Sequence, residues 1–417
     1  MNKIGGEIMA KIVVIGGGPA GMMAAIAASD KHEVILLEKN EKLGKKLFIT
    51  GKGRCNITNA KNISEFFEYI PGNPYFLYSS LYTFTNEDTM VFFNKLGVKL
   101  KIERGDRVFP ESDKSSDIIT AFQKEMERKR VMVRFNSSVK KLIIDNGLIK
   151  AAQLVDNSTI DGDYFIVCTG GLSYPRTGST GDGLVFAKEA GHNIVNPRPS
   201  LVPIVIEEEW IKELQGLSLK NVELSIVDKN NKVKFKDFGE MLFTHFGISG
   251  PLVLSSSNVI RNNEHYKVNI NLKPALSFEE LDKRVQNDFI KYTNKSFKNS
   301  LDDLLPQKLI PIVIKLSGID DDKKVNLITR EERRNIVKLL QNFTLTVKGL
   351  RPIEEAIVTA GGVDTKEINP STMQSKLINN LYFAGEVMDV DAYTGGYNIQ
   401  VALSTGYIAG TKAGEEN

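Results

Sequence analysis

The sequence predicts an α/β protein with a core split in two by an insertion, and three observations lead there. KIVVIGGGPAGMMAAIAA (11–28) reads as an apolar strand, a glycine turn and a helix. Two later stretches, DYFIVCTGG (163–171) and LYFAGEV (381–387), again run a buried strand into a turn with glycine. Between them the texture changes. KNVELSIVD and NKVKFKDFG alternate apolar and polar residues, and 276–341 is lysine-rich with a helical pattern. The expected organisation is a core of residues 1–197 and 347–417, a β-rich, barrel-like module of 198–275 and 342–346, and a helical subdomain of 276–341.

Taken in order, residues 11–38 give strand, turn, helix and strand, and KLKIERGDRVFP (99–110) gives a hairpin with a Gly-Asp turn. SSDIITAFQKEMERKR (115–130) is helical, with Ile118, Ile119, Phe122 and Met126 at helical spacing. Asp182 is the expected cap of the helix LVFAKEAG. NPRPSLVP (196–203) reads as a proline-marked linker into the insertion.

Composition excludes more than it assigns. A net charge of +3 over 417 residues implies no nucleic-acid partner. The most apolar run carries four glycines and a proline, so it is a poor membrane span. MNKIGGEI lacks the pattern of a secretory signal, and Met9 offers a second start, so residues 1–8 read as either an extension or an upstream start. Two distant cysteines, Cys55 and Cys168, exclude a disulfide framework and fit a reducing, cytoplasmic setting. With no H-E-x-x-H and no C-x-x-C, no metal site is expected.

The chemistry begins at Gly16, Gly18 and Gly21, which satisfy G-x-G-x-x-G between strand and helix. In such a turn the first glycine allows the tight bend, the second lets backbone approach a pyrophosphate, and the third packs helix on strand. The helix N-terminus faces the phosphates with free N–H groups. Glu38 ends the next strand, placed to accept from ribose hydroxyls. Later, LYFAGEVMDVDAYTGGYNIQVALSTGYIAG (381–410) sets a strand ending in Gly385-Glu386 before a second glycine-led helix. A helix dipole of that kind stabilises negative charge on a reduced flavin, which favours FAD over a nicotinamide as resident cofactor. Thr169-Gly170-Gly171 is the turn expected beneath it.

TGKGRCNITN, GDRVFPESDKSSD, TGGLSYPRTGSTGDG, GEMLFTHFGISGP, TAGGV and LYFAGEVMDVDAYTGGYNIQVA follow one another between about Lys11 and Gly410. Together they resemble the BaiN/aminoacetone-oxidase-like family of NAD(P)/FAD-dependent oxidoreductases, relatives of fumarate-reductase-type flavoproteins. The resemblance implies a discontinuous Rossmann-like FAD-binding domain with an inserted β-barrel-like module and a helical subdomain. It implies FAD contacts from Gly16, Gly18, Pro19, Ala20, Gly21, Glu38, Lys39 and Lys46. From the GRCN loop come Gly53, Arg54, Cys55, Asn56 and Thr58, and from the middle of the core Val139, Thr169, Gly170 and Gly171. The C-terminal segment adds Gly385, Glu386, Asp389, Gly395, Gly396, Tyr397, Asn398, Ile399 and Gln400. Cys55 has no neighbouring cysteine to resolve a disulfide, so its choices are packing against flavin or a single thiolate activated by Lys52 and Arg54.

Four histidines limit acid/base chemistry. His32, His192 and His265 read as surface or structural, and His245, in GEMLFTHFGISGP, is the preferred candidate for substrate contact or proton transfer. Tyr174, Arg176 and Tyr393 leave cofactor-binding strands and are candidates to orient an anionic or carbonyl substrate, with Arg351 a further one. The expected activity is hydride transfer between flavin N5 and a small organic substrate, with NAD(P)H as a transient donor because no second complete fingerprint exists. The rivals are an O2-using oxidase of a small amine or aminoketone, and an RNA-modifying or non-catalytic FAD-binding protein resting on Lys291, Lys295 and Lys298. The oligomeric state is left open.

Overall fold

The structure, a computed structural model, describes residues 3–4, 7–261 and 264–415. The chain divides into two compact units, residues 1–200 with 353–417, and residues 201–352. The helical subdomain therefore falls in the same unit as the barrel. Of residues 1–8, residues 1–2 and 5–6 lie outside the described residues.

The first unit is built on β1 (Lys11–Ile15), α1 (Pro19–Ala28), β2 (Glu33–Leu37), α2 (Ser115–Arg128), β3 (Met132–Arg134), β4 (Tyr164–Val167), α3 (Asp182–Glu189), β5 (Ile194–Ser200), β6 (Val358–Val363), β7 (Leu381–Phe383) and α4 (Tyr397–Lys412). Five strands form one parallel sheet in the order β7-β4-β1-β2-β3. The near-continuous apolar runs of β1, β2 and β4 are what a parallel sheet covered on both faces demands. Consequently β7, more than 200 residues after β4 in sequence, pairs directly with it, Phe165 opposite Leu381.

α1 has no polar face; Ala20 to Ala28 are all buried. Its outer side is covered by α4, where Gly406 and Gly410 bring the two backbones together. A Cβ at either position would overlap the Ala20 or Ala24 carbonyl oxygen.

The proline-marked stretch is not a free linker. Residues 194–200 are strand β5, paired antiparallel with β6, with Arg198 opposite Ala360 and Pro199 opposite Thr359. A register shift after Val195 accommodates the prolines in this two-stranded ribbon, where each chain has an open edge. Asp182 likewise opens α3 as its first residue; the cap position is Gly181, at φ 82°. The Gly-Asp hairpin forms as expected, with Gly105 and Asp106 both left-handed between strands 100–103 and 107–110.

The second unit is a closed antiparallel barrel of six strands, with Ile204–Ile206 closing against Phe343–Leu350. Closure removes the sheet edges that strands as long as Ser218–Asp228 and Val233–Thr244 would otherwise expose. Phe343–Leu350 continues as one barrel strand past the boundary at 346 read from the sequence. Helices Phe278–Lys291 and Arg330–Gln341 each start with a capping box, Ser277 with Glu280 and Thr329 with Glu332. They are joined by a two-pronged Arg333–Asp282 ion pair at 2.8 and 3.0 Å.

Candidate cofactor and active site

The loops at the C-terminal ends of β1, β2, β4 and β7 meet, and hydrogen bonds between them define the site. This is where an open α/β sheet places its ligands. After β1, Gly16 turns the chain at φ 107°, a Cβ there standing 2.6 Å from the Cys168 carbonyl oxygen at the end of β4. Gly21 is tighter still, because its Cβ would overlap the Gly16 oxygen. Gly18 faces open space, with no atom within 4 Å of a Cβ position, as does Gly53.

After β2, the nearly buried Glu38 accepts the Gly17 N–H at 2.8 Å with one oxygen, and the Asn40 N–H and side-chain amide with the other. Lys39 reaches the GSTGDG loop, donating to Asp182 at 2.6 Å and to Thr180. Ser137 N–H donates to the Glu38 carbonyl oxygen, which brings the start of the strand at Val139 close to Glu38.

The centre of the site is an interlocked set of four side chains. Lys46 Nζ donates to Glu386 Oε2 at 2.7 Å and to Ser173 Oγ at 2.6 Å. Ser173 Oγ lies 2.9 Å from Glu386 Oε1, which also accepts the Thr359 N–H at 2.7 Å. Thr359 Oγ1 in turn accepts the Leu172 and Ser173 N–H groups. Lys46 and Glu386 were expected from the sequence. Ser173, Thr359, Asn40 and Asp182 as site residues were missed, although Ser173 follows the Thr-Gly-Gly turn and Thr359 sits in the TAGGV run.

Both helices aimed here have open N-termini. α1 starts at Pro19 and α4 at Tyr397, each with glycine at the cap position, no side-chain cap and no acidic residue in the first turn. Two buried polar atoms nearby in sequence, Asn56 Oδ1 and Thr169 Oγ1, have no hydrogen-bond partner. Uncapped helix ends, orphaned acceptors and the open side of Gly18 fit an anionic dinucleotide with a flavin. Pro19 and Ala20 belong to that first turn, and Gly170 and Gly385 take the left-handed turns their positions require.

Other expected contacts are used inside the protein. The Gln400 amide accepts from Thr58 and Thr89 hydroxyls and donates to Phe84 O and Ser404 Oγ, and both Gln400 and Thr58 are fully buried. Asn398 pins its own loop through Ala392. Asp389 accepts from Gly361 N–H and the Asn73 amide. Tyr397 is buried in a stack on Tyr69, 4.7 Å between ring centres, while Ile399 packs on the apolar core. Gly396 presses on Thr58, and Gly395 accepts from the Asn59 amide. Arg54 turns to Glu103 and Asp113 and lies 4.2 Å over the Phe109 ring.

At Cys55 burial weighs against the thiolate alternative and favours packing. The residue is fully buried, and burial pushes its thiol up to about 12 despite a hydrogen bond with Thr50. Cys168 is raised by burial as well. Neither thiol is therefore expected to react with Ellman's reagent at pH 8 in the native protein, with both appearing in denaturant. Rapid labelling of one native thiol would restore Cys55 as a nucleophile.

Tyr174 and Arg176 occupy the turn Pro175–Thr177, and the Tyr393 N–H donates to Tyr69 O. His245 lies in the second unit, exposed, with its ring edge-on to Phe246, over which Arg351 sits at 4.8 Å. His192 is buried, a structural histidine between Glu367 (3.2 Å) and Ser375 (2.8 Å); burial holds it below its ordinary pKa. Among the described residues no group of three or more His, Cys, Asp or Glu is placed to hold a metal ion. Among the described residues no helix is long and apolar enough to cross a membrane.

Fold and site thus define a dinucleotide-binding flavoprotein, an FAD-dependent oxidoreductase. The family described as "HI0933-like protein Rossmann domain" matches residues 10–412, and the chain belongs to that family. It is 30% identical over 423 residues to a 3-dehydro-bile acid delta(4,6)-reductase of Clostridium scindens, covering 100% of both chains. It is 32% identical over 396 residues to a ribosomal RNA dihydrouridine synthase of Escherichia coli, covering 95% of this chain and 96% of that one. A flavocytochrome c3 fumarate reductase in its open conformation shares the fold, with TM-score 0.51 and 17% identity over 97% of this chain and 78% of that chain.

Proposed function

We propose that the protein reduces a carbon–carbon double bond conjugated to a carbonyl in a small organic substrate, with NADH or NADPH as the donor. What carries the reading is the end-to-end relationship to the Clostridium scindens enzyme, named for reducing a 3-oxo bile acid at its 4,6 double bonds. FAD, when bound, takes two electrons from the nicotinamide and supplies them as a hydride. The residues proposed to hold it are Gly16–Gly21 and the α1 N-terminus for the pyrophosphate, Glu38 for the ribose, and Lys46, Glu386 and α4 for the flavin end. Tyr174, Arg176, Tyr393 and His245 are the groups proposed to orient the acceptor and move its proton.

A second acceptor is favoured by one observation. Relatives in Escherichia coli and Haemophilus influenzae, each 32% identical, are named ribosomal RNA dihydrouridine synthases. A uracil C5=C6 bond is likewise conjugated to a carbonyl, so the same chemistry would serve. The helix Arg330–Gln341 lines a surface cleft of about 360 Å³ with Arg330, Glu331, Arg334, Asn335 and Lys338, three cations against one carboxylate, which suits phosphate contacts.

The test is anaerobic. The holoprotein is reduced with NADH or NADPH, then mixed with a 3-oxo-4,6-diene steroid or with ribosomal RNA. Reoxidation by the steroid supports the first reading, and dihydrouridine formation supports the second. Flavin bleached by amines, inert to nicotinamides and reoxidised only by O2 would make the protein an oxidase instead.

A further inference from the structure

We propose that the Tyr174 hydroxyl is the group that protonates the substrate carbon. The assignment rests on the reaction read above, and it is argued from the first unit alone.

Tyr174 has a backbone conformation that a bulky aromatic residue seldom adopts, φ 53° and ψ 59°. For a residue with a Cβ this conformation is strained, where glycine would adopt it at almost no cost. The conformation is held from both sides. On one, the Tyr174 carbonyl oxygen accepts the Thr177 N–H at 2.8 Å and the Thr177 hydroxyl at 2.7 Å. On the other, Ser173 is clamped by Thr359, Lys46 and Glu386. Strain imposed by so many fixed points, one residue from the centre of the cofactor site, aims a side chain.

The chemistry of the neighbours leaves few rivals. Cys55 and Cys168 are buried thiols. His192 is enclosed and spans Glu367 and Ser375. Lys46 is committed to Glu386. Tyr174 is half-buried, and its phenol is held above the usual tyrosine range first by burial and then by the Glu355 carboxylate. It therefore keeps its proton at working pH. The charged groups around this turn include Arg176 within it, Lys39 against Gly178 and paired with Asp182, and the Lys46–Glu386 pair on Ser173, with the Glu355 carboxylate acting on the phenol through its charge.

The step balances as follows. A hydride reaches the β-carbon, the double-bond electrons move onto the carbonyl oxygen as an enolate, and the α-carbon takes the proton from Tyr174 Oη. One O–H bond breaks and one C–H bond forms, and the tyrosinate regains a proton from water. The two electrons come from the nicotinamide donor.

Holoenzyme variants Y174F, E355Q and Y393F are compared on two probes, a 3-oxo-4,6-diene steroid and 1-nitrocyclohexene. Hydride addition to the nitroalkene gives a nitronate that needs no protein proton. Y174F is expected to lose about 100-fold or more on the steroid, while its reaction with the nitroalkene continues and releases nitronate. Independently of turnover, the ultraviolet difference titration of wild type against Y174F should show a phenol ionising above the ordinary range, and E355Q should bring it down. Equal losses on both probes, no loss on either, or an ordinary phenol titration overturns the assignment. A probe-selective loss in Y393F alone also overturns it. A wild-type enzyme reducible by nicotinamide but inert to both probes overturns the reaction reading itself, and the assignment with it.

Discussion

Gly21→Ala is expected to yield a protein that no longer retains FAD and unfolds at markedly lower urea. The added methyl would overlap the Gly16 carbonyl oxygen, and Gly16 cannot retreat. It already approaches the Cys168 carbonyl at the end of β4, at a φ only glycine adopts easily. The turn must open, moving the α1 N-terminus away from the phosphates. Overpacking of this kind costs about 3 kcal/mol, the upper end of its usual range. Absorbance at 450 nm relative to 280 nm and the urea midpoint measure the two effects. A variant with full flavin content and an unchanged midpoint would mean that this turn is not the pyrophosphate turn.

Glu386→Ala is the second large effect. The carboxylate neutralises Lys46 and accepts from Ser173 and the Thr359 N–H, so its removal leaves a partly buried cation and two donors unpaired. The expected destabilisation is about 2–4 kcal/mol, with FAD affinity falling at least about tenfold. Stability and binding separate in the double variant K46M/E386L. Removing both charges should recover much of the stability, because a paired set of charges is replaced by apolar groups. FAD affinity should stay low. If the double variant binds FAD as tightly as wild type, the pair is a scaffold and not a cofactor contact.

How far the sequence carries can be judged residue by residue. The strand, turn and helix at 11–28 were legible because an apolar run, three spaced glycines and an acidic strand end all act locally. That β7 returns to the first core was suggested by texture alone, and the structure supplies its pairing with β4 and the register. NPRPSLVP was read as a linker, and the boundary between the units does fall within it, after Ser200; that its first residues are also strand shows only once residues 358–363 supply the partner. Cys55 was ambiguous for a similar reason. Cations beside it in sequence suggested activation, whereas the fold turns Arg54 toward Glu103 and Asp113 and encloses the thiol. The Lys46–Ser173–Glu386–Thr359 set joins residues up to 340 positions apart, and no local pattern predicts such closure. Tyr174 was named from its place after a glycine turn, but its left-handed backbone is a property of the folded loop.

The close crossing of α1 and α4 has a consequence for the order of biosynthesis. The turn at Gly16 leaves the ribosome early, but the helix that covers α1 and the strand that flanks β4 are translated only after residue 380. Residues 201–352, whose barrel closes on itself, are complete before then. The inserted unit can therefore fold while the first waits, its glycine-lined seam on α1 still uncovered. A nascent chain arrested before α4 should hold a folded barrel and an open, chaperone-dependent nucleotide half, so FAD capture reports that translation has passed α4.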